Sequence, residues 1–61
     1  MRVVKHDKTL IVVCKKDKAI YVEDEGRTAY IKTLNKEKVI EALKTFPENL
    51  VNAVVKIIEE T

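Results

Sequence analysis

AIYVEDEGRTAYIKT, residues 19–33, decides the fold, because the residues alone fix it as a hairpin of one register. Gly26 is the only glycine of the chain, and a two-residue loop Glu25-Gly26 puts it where a tight hairpin needs positive φ. Asp24 then opposes Arg27, Glu23 opposes Thr28, Val22 opposes Ala29, Tyr21 opposes Tyr30, and Ile20 opposes Ile31. In that register Ile20, Val22, Ala29 and Ile31 share one apolar face. Tyr21 and Tyr30 meet on the other as a cross-strand pair. A slip of one residue would scramble both sets.

Working outward, the first half of the chain repeats this grammar. HDK at 6–8, KKDK at 15–18 and DEGR at 24–27 are polar interruptions. RVVK, TLIVVCK, AIYVED and TAYIKT lie between them and are rich in β-branched and aromatic residues. Such segments favour strands. Residues 1–34 therefore read as a four-stranded antiparallel β-meander. The registers of its first two hairpins stay open, so Val13 and Cys14 are free to exchange faces.

Beyond Leu34 the apolar period changes from two to about 3.6. Asn35 is placed as an N-cap, Leu34 and Val39 as a hydrophobic staple, and Glu37 in the first turn. Val39, Ile40, Leu43 and Phe46 form one stripe. TFPE at 45–48 has the spacing of a capping box, with Pro47 suited to a first helical turn. That predicts a break and a second helix over about 48–60, with one helix kinked at Pro47 as the alternative. Leu50, Val51, Val54, Val55, Ile57 and Ile58 give this helix a wide apolar face. Glu59 and Glu60 oppose the dipole at its C-terminus and predict a frayed end.

The fold class is thus α+β: one domain over residues 1–61, with two C-terminal helices (35–61) packed on one sheet face. Four strands about 4.8 Å apart make a sheet that two helices can cover on one side only. Ile11, Val13, Ile20, Val22, Ala29 and Ile31 are expected inside. Leu10, Val12, Cys14, Ala19, Tyr21 and Tyr30 are expected on the open side, with Glu23, Thr28 and Lys32 around them. LIVVC at 10–14 is apolar at both parities, the mark of a strand buried on both sides. An open face this apolar calls for a cover.

Composition narrows the chemistry. The 61 residues include one cysteine and one histidine, so neither an internal disulfide nor a Cys/His zinc cluster can form within one chain. Serine, glutamine and tryptophan are absent while Lys, Glu, Val and Ile dominate, as in hyperthermophile proteins. MRVVKHDK lacks the apolar core of a secretory signal, and LIVVC is too short to span a bilayer. A soluble, cytoplasmic protein is expected, with no membrane partner.

No constellation points to catalysis. Without serine, the one candidate nucleophile is Cys14, mid-strand and better read as a small hydrophobe. His6 reads as a solvated turn residue, and Glu23, Asp24 and Glu25 as a hairpin tip without the spacing of a metal-binding loop. With one glycine there is no phosphate-cradling loop. The expectation is a non-enzymatic binding protein with no cofactor, no metal and no small-molecule substrate.

Two binding readings follow. Net charge is +2 overall. Residues 1–34 carry eight Lys/Arg against five acids, and residues 35–61 four Lys against five acids. The basic half holds the tyrosines. In the first reading Tyr21 and Tyr30 form a stacking platform for DNA or RNA, with Lys15, Lys16, Lys18, Arg27 and Lys32 on the phosphates. In the second, Leu10, Val12, Tyr21 and Tyr30 form an interface, either with a second copy or with a partner protein that the chain modulates.

Overall fold

The computed structural model describes residues 1–60. Its order is β1 (Arg2–His6), β2 (Thr9–Cys14), β3 (Ala19–Asp24), β4 (Arg27–Ile31), α1 (Lys36–Ala42) and α2 (Glu48–Glu60). The strands form one antiparallel sheet in the order β1-β2-β3-β4, each next to its sequence neighbour. This is the expected meander followed by two helices.

The third hairpin has the register read from the sequence, with Tyr21 opposite Tyr30 and Asp24 opposite Arg27. Its loop takes φ of 49° at Glu25 and 85° at Gly26, the two positive values that let a two-residue turn follow the strand twist. The first hairpin also closes with two residues, Asp7-Lys8, and pairs His6 with Thr9 and Val3 with Val12. Asp7 supplies its positive φ of 54°, a conformation that aspartate tolerates better than most residues. The second hairpin needs four residues, 15–18, closed by Lys18 N–H donating to the Lys15 carbonyl at 3.2 Å. Cys14 opposes Ala19, so Val13 points to the helices and Cys14 away.

The core lies between sheet and helices. Ile11, Val13, Ile20, Val22 and Ile31 pack against Val39, Leu43, Leu50, Val54 and Ile57, with Ala29, Leu34 and Phe46 partly buried around them. Asn35 caps α1 by accepting a hydrogen bond from Lys38 N–H at 3.1 Å, and Leu34 is partly buried against the core.

Three details of the helices depart from the sequence reading. Ile40 is 46 % exposed, so it stands outside the stripe, and Val39 and Leu43 alone anchor α1. The helix also stops at Ala42, before Leu43 and Phe46. The Pro47 ring would clash with the Leu43 carbonyl in a continuous helix and offers no N–H to it. Phe46 N–H takes that carbonyl instead, at 2.9 Å. Finally, α2 starts at Glu48 as expected, but Pro47 rather than Thr45 supplies the carbonyl that Leu50 and Val51 bond, at 3.0 and 3.1 Å. Thr45 therefore lies outside any capping box. The chain has two helices, not one kinked helix.

The C-terminal end of α2 is held where fraying was expected. Glu59 pairs with Lys36 at 2.9 Å and Glu60 with Arg2 at 3.6 Å. These contacts tie the last turn to the start of α1 and of β1 and offset the dipole penalty. Exposed pairs of this kind contribute little each, about 0–1 kcal/mol.

Candidate binding face

The register assembles the open face row by row. Val3 pairs with Val12, Val12 with Tyr21, and Tyr21 with Tyr30. These four side chains form one uncharged row across all four strands. Because β1 and β4 are edges, the ends of the row stand furthest out: Val3 is 54 % and Tyr30 62 % exposed, while Val12 and Tyr21 are half-buried. The next row, towards the Asp7-Lys8 and Glu25-Gly26 turns, is Lys5, Leu10, Glu23 and Thr28. On the other side Cys14 and Ala19 pair, and Lys32 follows β4 beside them.

The structure brings together Leu10, Val12, Tyr21 and Tyr30 on one surface. It adds Val3, which the sequence reading left out. Lys32 also belongs, its Nζ lying 6.0 Å from the centre of the Tyr30 ring, within reach of a cation–π contact. Lys15, Lys16 and Lys18 sit together in the exposed turn between β2 and β3, at the same end of the sheet as Lys32.

Arg27 does not join them. It shares the parity of Ala29 and Ile31, and its guanidinium lies 4.8 Å over the Phe46 ring on the helix side. It donates to the Thr45 carbonyl at 3.0 Å and pairs with Asp24 at 3.8 Å. Asp24, nearly buried, also accepts from the Thr9 hydroxyl at 2.6 Å. Arg27 thus clasps the junction of the two helices to the sheet. Alternation along β3 scatters the acidic cluster: Asp24 turns inward, Glu25 lies in the turn, and Glu23 faces the open side.

Glu23 changes the character of that side. The Tyr21 hydroxyl donates to its carboxylate at 3.2 Å. This bond to the neutral phenol, with burial and the nearby negative charge, holds Tyr21 above the ordinary tyrosine value of 10.0. A carboxylate beside the aromatic pair also repels a phosphate backbone.

The remaining features are modest. The Cys14 thiol donates to Asp17 at 3.6 Å, and Cys14 is a free thiol, half-buried on the open face. A hollow of about 290 Å³ lies between β1 and the start of α2, lined by Val4, His6, Ile11, Leu50 and Ala53 among others. A second one of about 500 Å³ lies at the two-turn end, among Lys5, Lys8, Leu10, Glu23 and Glu25. Among the described residues no three His, Cys, Asp or Glu side chains gather as metal ligands, and no helix is long and apolar enough to cross a membrane. Comparison with protein families, with curated proteins and with solved structures found no match to this chain.

Proposed function

We propose that this chain is a non-enzymatic protein-interaction module that binds through the open face of its sheet. The observation that carries this reading is the row Val3, Val12, Tyr21 and Tyr30, apolar or aromatic across all four strands and left uncovered by the helices. Aromatic residues are enriched at the cores of protein interfaces and charged ones depleted there. An apolar strip that spans a whole sheet is what such an interface needs.

A second reading keeps nucleic acid as the ligand, favoured by Lys15, Lys16, Lys18 and Lys32 at one end of the face and by the Lys32–Tyr30 contact. It is weaker because Arg27 is engaged with Phe46 and Thr45, and because Glu23 lies within the platform.

Site-specific photo-crosslinking separates the two. A photoreactive phenylalanine analogue replaces Tyr30 in one version and Ile40, on the helix layer, in another. Protein adducts from position 30 and not from position 40 support the module. Adducts that collapse on nuclease treatment move the assignment to nucleic acid. No adduct from position 30 overturns both.

A further inference from the structure

The open face is electrically uneven along the strands. At the end where β2 turns into β3, Lys15, Lys16 and Lys18 surround Asp17, with Lys32 alongside. The opposite end carries Glu23 on β3 and Glu25 in the adjoining turn, with Lys5 on β1 and with Lys8 just before β2, its carbonyl accepting from Glu25 N–H at 3.2 Å. The uncharged row lies between.

We infer that the occupant of this face is a second copy of this chain, packed sheet on sheet about a two-fold axis that runs along the row. The inference rests on the reading of the open face as a protein-binding surface and names its partner. Such an axis sets Val3, Val12, Tyr21 and Tyr30 each against its own counterpart, the self-complementary arrangement of a two-fold dimer. It covers the two most exposed members, Val3 and Tyr30, at once.

The same rotation exchanges the two ends of the sheet. Lys32, two residues beyond Tyr30, comes over the partner's Thr28, which neighbours the partner's Glu23. Lys18 comes over the turn that holds the partner's Glu25. An axis parallel to the strands would instead stack lysine end on lysine end, a like-charge contact that disfavours that arrangement. On the β2 side Lys16 approaches the partner's Lys8, but at a solvent-exposed rim where screening keeps the penalty small.

Area sets the strength. Four strands about 4.8 Å apart and six residues at about 3.4 Å each span a plane of roughly 400 Å². With side-chain relief, two copies bury on the order of 1,000 Å², where specific interfaces begin. The dimer is therefore weak and concentration-dependent.

Sedimentation equilibrium of the full chain from about 1 μM to about 1 mM covers the range such an interface populates. The wild type passes from monomer to dimer mass. Lys32→Glu and Glu23→Lys each raise the dissociation constant at least about fivefold, and the double variant recovers most of that loss, because a charge pair in contact is energetically coupled. Ile40→Lys, on the helix layer, leaves dimerisation unchanged. A monomer at every concentration, or a double variant no tighter than the singles, overturns the inference. If position 30 then still crosslinks to a different protein, the second copy is excluded and the binding face stands. If it crosslinks to nothing, both are excluded.

Discussion

The two faces of this sheet are built from residues that alternate along the same strands, yet they meet different surroundings. On the helix side Ile11, Val13, Ile20 and Val22 are at most 3 % exposed. On the other side their immediate neighbours Leu10, Val12 and Tyr21 are half-buried, and the row ends in exposed Val3 and Tyr30. Both parities of LIVVC are apolar. Folding the monomer explains only one of them. Within the chain the second parity is only partly buried, and its apolar character is the reason for proposing that face for binding.

The largest effects separate the faces by a single step along β2. Val13→Asp buries an unpaired charge at a position 1 % exposed and leaves the chain unfolded by circular dichroism. Val12→Asp, one residue away, keeps the native spectrum and loses self-association. If Val12→Asp also unfolds the chain, the open face contributes to the monomer's core and the distinction fails.

Next in size is a pair on the helix layer. Leu43 is fully buried, so Leu43→Ala costs about 2–5 kcal/mol in denaturant melts, while the nearby Ile40→Ala stays within about 0.5 kcal/mol. Equal losses would return Ile40 to the core. A pair of cations gives a smaller contrast. Arg27→Ala removes the stack on Phe46 and the bond to Thr45, and leaves Asp24 with one partner fewer. It destabilises by about 1–3 kcal/mol. Lys32→Ala on the open face changes monomer stability by less than about 0.5 kcal/mol.

The smallest effect is a titration. In a Tyr30→Phe background the phenolate absorbance of Tyr21 rises above pH 10.0, and Glu23→Gln moves it back down by removing the charged acceptor. Because the neutral phenol is favoured in the folded state, this contribution is complete below the ordinary tyrosine value. It is lost as pH rises through the raised one. Titration of Tyr21 at or below the ordinary value would show that the bond to Glu23 does not persist in solution.

Much of this was legible in the sequence, for reasons that differ by region. The third hairpin could be read to the residue because Gly26 pinned the turn and the tyrosines and isoleucines then agreed on one register. The first hairpin lacked a glycine, so Asp7 as its positive-φ residue was not evident, and Val3 could not be placed opposite Val12. Arg27 is a different case. Its pairing with Asp24 was read correctly, and its shared parity with Ala29 and Ile31 already put it on the helix side. Charge alone groups Arg27 with the lysines, but strand parity decides its face. Ile40 fits an apolar stripe only in a helix that continues to Phe46, which Pro47 prevents. Once the helix ends at Ala42, only Val39 and Leu43 need to face the sheet.

The most direct test of the account is solvent accessibility of the two sheet faces by NMR, using a soluble paramagnetic probe. At concentrations where the chain self-associates, the side chains of Val3, Val12, Tyr21 and Tyr30 should be shielded almost as well as those of Val13 and Val22. In Val12→Asp they should become as accessible as Ile40 while Val13 and Val22 stay protected. Open-face signals that are attenuated like Ile40 at every concentration, with or without the substitution, would contradict the claim that this face is covered by a second copy.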